Sequence, residues 1–214
     1  WYIISYRDLT FGKRESIFHS YSRFLKYFHL GIYLTFANEI STLILIIDNQ
    51  FVSLFFKKNI YGKYSFAYSM SNSALTLLSA ISVVLLPHLK QQSKKYILNI
   101  YHNMISYMLL IVYISLLGYF PLYEIINKIL PKYIESLQYF RFFLPSIGIT
   151  CCVTMIMCNY FNVLGKNKIY FLISLGILFI SFTIDSIVYI LFHSPIVLSF
   201  SSLLELLLWY IVSE

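Results

Sequence analysis

The stretch IYFLISLGILFISFTIDSIVYILF, residues 169–192, decides the fold, because it is a long apolar run in which Asp185 is the single charged residue. About 20 apolar residues are enough for a helix to cross the roughly 30 Å of hydrocarbon in a membrane. The stretch is longer than that and therefore predicts a transmembrane helix. Ser174, Ser181 and Asp185 follow helical spacing, so they share one face of it.

Working outward from this helix, five further stretches have the same length and apolar character. They cover residues 30–56, 64–86, 104–126, 142–164 and 195–212. Short segments rich in Lys, Asn, Gly and Pro separate them. We therefore expect an all-α, polytopic transmembrane helix bundle of about six spanning helices over residues 30–214.

Residues 1–29 form a basic amphipathic segment, which we expect on the cytoplasmic side. It fits either a helix lying on the membrane surface or a cytoplasmic extension of the first span. Residues 96–104 leave the same two alternatives open ahead of the third span. Since the chain opens on Trp1 rather than Met, we expect the sequence to be a fragment.

Composition agrees with a membrane protein: 12% of the 214 residues are charged, and the mean hydropathy is +0.73. The net charge of +7 sits in short segments between apolar runs, which is typical of headgroup anchors, so we do not expect nucleic acid as a partner. Ten basic residues fall on one side of the expected bundle and six on the other, which predicts cytoplasmic positions for both ends. We expect neither a metal site nor a cofactor at Cys151, Cys152 and Cys158, which suit packing inside one apolar run.

Polar side chains repeat at helical spacing in the first two spans. The second span carries Ser65, Ser69, Asn72, Thr76 and Ser79, and the first carries Gly31, Thr35, Asn38, Thr42 and Asn49. Such stripes fit either a close helix contact or a water-lined cavity, and Asn72 favours the cavity. The candidate residues of a substrate pathway are Asn38, Glu39, Thr42, Ser65, Ser69, Asn72 and Thr76.

Four acidic residues lie seven or more residues from either end of an expected span. Glu39 is nine residues into the first span, near the bilayer middle, and is a candidate proton or sodium site or else a polar helix contact. Asp48 lies on the opposite side of that helix, and we expect it near the outer boundary beside Lys57 and Lys58, either in an ion pair or in hydrogen bonds at the helix end. Asp185 and Glu205 are weaker candidates that we expect to be paired inside the bundle.

The order of these features resembles that of a known family. Asp48, then YGKYSFA at residues 61–67, then a polar span ending at Pro87 resemble the opening of the second half of the polysaccharide and O-antigen flippases. PKYIES at residues 131–136 is similar to the external P-x-Y-x-x-S connection of that family, and NVLGK at residues 162–166 to the turn after its following span. The positions that match family motifs are Asp48, Gly62, Tyr64, Pro87, Pro131, Tyr133 and Ser136.

These flippases belong to the multidrug/oligosaccharidyl-lipid/polysaccharide exporter superfamily. The resemblance implies the C-terminal half of a two-lobed transporter in the bacterial inner membrane. It would flip an oligosaccharide linked to isoprenoid pyrophosphate during synthesis of O-antigen, capsule or exopolysaccharide. Its partners would be membrane lipids, the lipid-linked sugar, and either a missing N-terminal half or a second copy. It would not be an enzyme.

The resemblance leaves the coupling ion open between a proton and sodium. Contacts to the pyrophosphate or to lipid headgroups are expected from Lys90, Lys94, Lys95 and Arg141. Two alternatives remain. A drug or cation exporter of the same superfamily would line its cavity with acidic and aromatic residues. A membrane-bound polysaccharide polymerase or acyltransferase would need positioned reactive groups, which we do not find in the sequence.

Overall fold

The computed structural model describes residues 17–90 and 94–214. Within those two ranges the chain is helical apart from short connections and contains no strand, which confirms the all-α class. The helices are α1 (Ile17–Phe55), α2 (Lys58–Lys90), α3 (Lys94–Leu117), α4 (Tyr119–Ile129), α5 (Leu137–Cys151), α6 (Cys158–Val163), α7 (Asn167–Phe192) and α8 (Pro195–Ser213). A 3₁₀ turn at Pro131–Ser136 precedes α5, and a π-helical segment at Cys152–Met157 joins α5 to α6.

Four of the described stretches are long and apolar enough to cross a membrane. They are Gly31–Phe55, Pro131–Val163, Asn167–Phe192 and Pro195–Ser213, which coincide with the first, fourth, fifth and sixth predicted spans. The helices over the second and third predicted spans, α2 and α3, are not among the four. In both helices some of the side chains lie outside the described set. The chain is therefore a membrane protein with at least these four candidate spans.

Helix α1 runs without interruption from Ile17 into the first span. The residues before the span therefore extend it, and the alternative of a separate surface helix does not hold from Ile17 onward. Helix α3 likewise begins at Lys94 and continues into the third span. Residues 1–16 of the amphipathic segment lie outside the described part of the chain.

The third predicted span is divided in two. Helix α3 ends at Leu117, and α4 begins after Gly118. Pro121 lies in the first turn of α4, where its missing N–H leaves the Leu117 carbonyl without its usual helical partner. Because residues on both sides of Gly118 are apolar, the hydropathy pattern does not indicate this break. At the second span the helix instead passes through Pro87 and ends at Lys90, four residues beyond the expected end at residue 86.

The rod formed by α5, the π-helical segment and α6 is the centre of the bundle. In its apolar stretch 83% of the residues are buried, against 22–44% in the other three candidate spans. Helices α2, α3 and α8 pack against α5, and α7 packs against α1 and α8. Two apolar clusters fill the interior, one containing Ile44 and the other Val52. Ile44 and Val52 both belong to α1, so the two clusters contact this helix on either side of Asp48.

Candidate functional site

Three carboxylates from three helices meet in the interior of the bundle. Asp48 of α1, Asp185 of α7 and Glu205 of α8 are 5%, 0% and 3% exposed. One oxygen from each lies within 4.8 Å of the oxygens from the other two. We call these three residues the carboxylate cluster.

Helix geometry explains why they meet. Asp48 and Asp185 each lie seven residues before the end of their helix, a depth of about 11 Å at 1.5 Å per residue. Glu205 lies ten residues after the start of α8, a depth of about 15 Å. Helices α7 and α8 are joined by a tight turn in which His193 takes the left-handed conformation, with φ of 45°, and Pro195 opens α8. The turn makes the two helices antiparallel neighbours, so their acids reach a similar level.

Many polar atoms in and around the cluster lack hydrogen-bond partners. They are Oδ1 of Asp48, both carboxylate oxygens of Asp185, Oε1 of Glu205 and the hydroxyl of Ser181. The hydroxyls of Ser201 and Ser202 also lie close enough to interact with Asp185 and Asp48. Because buried polar atoms are nearly always paired, such a concentration points to a ligand-binding centre.

The cluster has no basic neighbour in the described part of the chain. The ion pairs found there are Lys63 with Glu135 and Lys128 with Glu124, and both lie elsewhere. Three buried carboxylates at this spacing repel one another strongly when ionised. They therefore need bound protons or a cation to balance their charge.

The oxygens are arranged suitably for a hard cation. With bond lengths of about 2.3–2.6 Å, two oxygens on opposite sides of a Ca²⁺ ion are about 4.6–5.2 Å apart. Na⁺ is nearly the same size, and the three oxygens gather within 4.8 Å. Carboxylate and hydroxyl oxygens are the ligands such ions prefer. The cluster can thus hold one cation of this size, with protons on carboxylates that the ion does not neutralise.

A small cavity opens beside the cluster. Its volume is about 40 Å³, and Asp48, Glu205 and Ser202 form one part of its wall. The opposite part includes Asn72 of α2 and Thr150 of α5. A cavity of this size has room for one or a few water molecules. We call it the narrow cavity.

A larger polar cavity adjoins the narrow one. Its volume is about 290 Å³, and Leu45, Asn72, Leu75 and Thr150 line both spaces. Asn38 and Thr42 of the first predicted stripe line this wide cavity, as do Asn72, Thr76 and Ser79 of the second. Thr154 and Met155 of the π-helical segment also line it, and π-helical turns are frequent at functional sites. The two sequence stripes therefore border one shared space.

Several residues predicted for a substrate pathway lie elsewhere. Glu39 is exposed on α1 and lines neither cavity. Ser65 is partly buried and Ser69 exposed, and neither lines a cavity. Thr42 and Thr76 line the wide cavity, but their hydroxyls donate to carbonyls of their own helices, at 3.1 Å to Asn38 and 2.9 Å to Asn72. Their hydroxyl oxygens remain available as acceptors.

The expected ion pair between Asp48 and Lys57 or Lys58 does not form in the described part of the chain. Asp48 faces the interior, where α1 packs against α7 and α8, and both lysines are exposed past the end of α1. Asp185 and Glu205 lie inside the bundle as expected, but beside other acids, and neither forms an ion pair among the described residues. The sequence signal that identifies these acids is their similar distance from the turn that joins α7 to α8.

Most of the family-motif positions serve packing. Tyr64 is fully buried, with its ring centroid 5.3 Å from that of Phe143. Tyr133 stacks on Phe66 at 4.4 Å, and the buried Ser136 hydroxyl donates to the Tyr133 carbonyl at 2.6 Å. Pro131 begins the 3₁₀ turn, whereas Gly62 has no atom within 4 Å of where a Cβ would lie. The side chain of Pro87 lies outside the described set.

The side chains of Lys90, Lys94 and Lys95 also lie outside the described set. Arg141 is exposed, and its Nε donates to the Tyr119 hydroxyl at 3.2 Å. That bond ties the start of α5 to the start of α4. The three cysteines are buried, in agreement with the expectation that they serve packing.

Comparison with known proteins gives no relative: no family model, curated protein or solved structure matches the chain significantly.

Proposed function

We propose that the chain is one lobe of a cation-coupled transporter that flips a lipid-linked oligosaccharide across the bacterial inner membrane. The observation that carries the proposal is the adjoining pair of cavities, one lined by hydroxyls and amides and the other by Asp48 and Glu205 of the carboxylate cluster. A sugar headgroup cannot cross hydrocarbon unaided, so its carrier must provide a polar path inside the membrane. An ion gradient can drive the carrier if the same lobe binds the ion.

The lining of the wide cavity favours a sugar over a cationic drug. Its polar residues are Asn38, Ser41, Thr42, Asn72, Thr76, Ser79, Thr150, Thr154 and Tyr170, of which none is acidic and only Tyr170 is aromatic. Amides and hydroxyls suit the many hydroxyl groups of an oligosaccharide. A cation exporter would instead require carboxylates and aromatic rings at the drug. Asp48 and Glu205 line the narrow cavity instead, which at about 40 Å³ is too small for a drug.

The polar outer face of α1 and α2 supports a two-lobed arrangement. Glu39, Ser69 and Ser73 are exposed on this face, next to Asn38 and Asn72 at the wide cavity. Polar groups facing lipid are unfavourable unless protein or water covers them. A second lobe, either an N-terminal half or another copy, would cover the face and close the wide cavity into a central passage.

Na⁺ is the coupling ion that fits the cluster best. A coupling ion must bind firmly enough to be captured and weakly enough to leave in every cycle. Ca²⁺ among three carboxylates would be held far more tightly than Na⁺, because its charge is double. With Na⁺ bound, protons on the other carboxylates complete the charge balance. The orientation we propose puts both ends of the segment in the cytoplasm, as the basic residues predict.

A transport assay tests the function. The protein is reconstituted into liposomes with a fluorescent lipid-linked oligosaccharide, and a membrane-impermeant quencher reports the fraction of label on the outer leaflet over time. We expect flipping that an imposed Na⁺ gradient accelerates, and no acceleration in Asp185→Asn. The matched control is Glu39→Gln, a carboxylate of α1 that lines neither cavity, which should keep the acceleration.

Other outcomes would contradict the proposal. A label that moves no faster than in protein-free liposomes would overturn the flippase function. Transport of a cationic dye in place of the sugar would favour the drug exporter. Recovery of an elongated or acylated lipid-linked sugar would favour a polymerase or an acyltransferase. Acceleration by a proton gradient alone would overturn Na⁺ as the coupling ion.

A further inference from the structure

The carboxylate cluster has one polar approach among the described residues. Toward the end of α1, the end of α7 and the start of α8, the carboxylate cluster is followed by the apolar cluster that contains Val52, Leu144 and Leu198. Between α1 and α7 lies another groove, in which Gln50 is the one polar residue among apolar ones such as Ile47, Phe179 and Phe182. A hydrated ion would lose its water shell along either of those routes.

The remaining approach leads through the narrow cavity into the wide one. Leu45, Asn72, Leu75 and Thr150 line both spaces, and Asn72 and Thr150 are the polar members of this set. Asn72 is exposed, and Thr150 is 2% exposed on the central rod. Ser41 and Tyr170, which line the wide cavity, lie seven and fifteen residues further from the ends of α1 and α7 than Asp48 and Asp185 do. The cluster thus lies close to one end of the bundle and opens toward the other.

We infer that Asn72 and Thr150 form a gate through which the cation enters and leaves the carboxylate cluster from the wide cavity. The inference rests on the proposed function and deepens it. Their amide and hydroxyl oxygens can replace water around the ion as it passes between the two cavities. A sugar held against Asn72 in the wide cavity would cover the gate and trap the cation, which couples the two substrates through one shared wall.

A substitution in a gate residue changes the rates of ion exchange, whereas a substitution in an ion ligand changes the dissociation constant. A residue that touches the ion only in transit alters the rates of association and dissociation together and leaves Kd in place. A residue that holds the bound ion alters Kd. Thr150→Val and Asn72→Leu keep side-chain size and remove the polar atoms, so both should slow association and dissociation of Na⁺ about tenfold, the effect of one lost hydrogen bond at the barrier.

The test uses purified protein in lipid nanodiscs and radioactive Na⁺, with binding and washout followed over time. Two matched controls are exposed and line neither cavity: Thr183→Val on α7 and Asn127→Leu on α4. Both should exchange Na⁺ at the wild-type rate. A saturating lipid-linked oligosaccharide should slow washout from the wild type.

The outcomes separate the two proposals. If the wild type binds no Na⁺, or if Asp185→Asn binds it as well as the wild type, the cation site of the proposed function fails and the gate fails with it. If Asp185→Asn abolishes binding while Thr150→Val and Asn72→Leu exchange at the wild-type rate, the gate alone is overturned. A change in Kd as large as the change in rate would make these residues ligands and would also overturn the gate.

Discussion

Asp185 and Glu205 face each other across the antiparallel pair α7 and α8, and an oxygen of each lies within 4.8 Å of the other. Like charges at that distance repel, and the sequence between them contains no lysine or arginine that could offset them. An arrangement of this kind inside a membrane bundle is unfavourable unless a ligand offsets the repulsion. The relationship therefore makes Na⁺-dependent stability a direct readout of the site.

The first prediction concerns that stability. Na⁺ at a hundred times its Kd should stabilise the wild type by about 2.7 kcal/mol, because it binds the folded state alone. For a chain of this size, that corresponds to a rise in Tm of about 5–10 °C. Asp185→Asn should lose the rise, since it removes one of the three ligands. Thermal unfolding in nanodiscs with NaCl, measured against choline chloride at equal ionic strength, gives the shift.

Glu39→Gln is the control for this prediction. It neutralises an acid on α1, as Asp48→Asn does, but at an exposed position that lines neither cavity. It should keep the full Na⁺-dependent rise in Tm, whereas Asp48→Asn should lose it. An equal loss in both variants would mean that general charge, rather than the carboxylate cluster, carries the effect.

The depth of the acids could be predicted from the sequence, but their meeting could not. Spans ending at residues 56 and 192 and beginning at residue 195 place Asp48 and Asp185 in the same half of the bilayer and Glu205 near its middle. Glu39 is nearer the first span's midpoint, and depth alone therefore favoured it. What decides between Glu39 and Asp48 is the rotation of α1 about its axis. That rotation depends on packing against α7, which no local pattern encodes.

The fold shows the same division between local and tertiary information. Apolar length predicted the helices, because a membrane leaves the backbone few other structures. Gly118 and Pro121 held the signal for the break between α3 and α4, but the apolar run on both sides concealed it. The π-helical segment at Cys152–Met157 has no comparable sequence signal. The shared cavity of the two polar stripes required α1 and α2 to lie side by side over α5, which only the structure reveals.

A second prediction concerns the wide cavity. Asn38 lines it, and its Oδ1 accepts a hydrogen bond from the Cys158 thiol at 3.4 Å. Asn38→Leu should reduce flipping of the lipid-linked oligosaccharide about tenfold, the effect of one lost hydrogen bond to a sugar hydroxyl, while Na⁺ binding persists. Ser69→Leu on α2 lines neither cavity and should flip at the wild-type rate. Equal rates for Asn38→Leu and the wild type would remove the wide cavity from the sugar path.

A third prediction concerns the contact between α1 and α7. The Ser41 hydroxyl donates to the Ala37 carbonyl at 2.7 Å and lies 3.3 Å from the Tyr170 hydroxyl. Tyr170 is therefore the donor to Ser41. Tyr170→Phe should lower the free energy of unfolding by about 0.5–1.5 kcal/mol. Ser41→Ala should lower it by about 1–3 kcal/mol, because it leaves the buried Tyr170 hydroxyl unpaired.

The two effects should not add. In the double variant, no unpaired hydroxyl remains, so its loss should be smaller than the sum of the single losses. Ser186→Ala is the comparison on α7, since its hydroxyl bonds within that helix, at 2.7 Å to the Phe182 carbonyl. Its effect should add to that of Tyr170→Phe. Additivity for the Ser41 pair in a denaturation series would contradict the contact.

The last prediction concerns orientation in the membrane. Lys132→Cys and Lys166→Cys are suitable labelling probes, since both side chains are exposed. They lie at opposite ends of the span Pro131–Val163. A membrane-impermeant maleimide added to intact cells should label Lys132→Cys and reach Lys166→Cys only after permeabilisation. The native cysteines are buried and should stay unlabelled, which gives the background. Labelling of both probes from outside would mean that this helix does not cross the bilayer, and labelling of Lys166→Cys alone would invert the orientation that the basic residues predict.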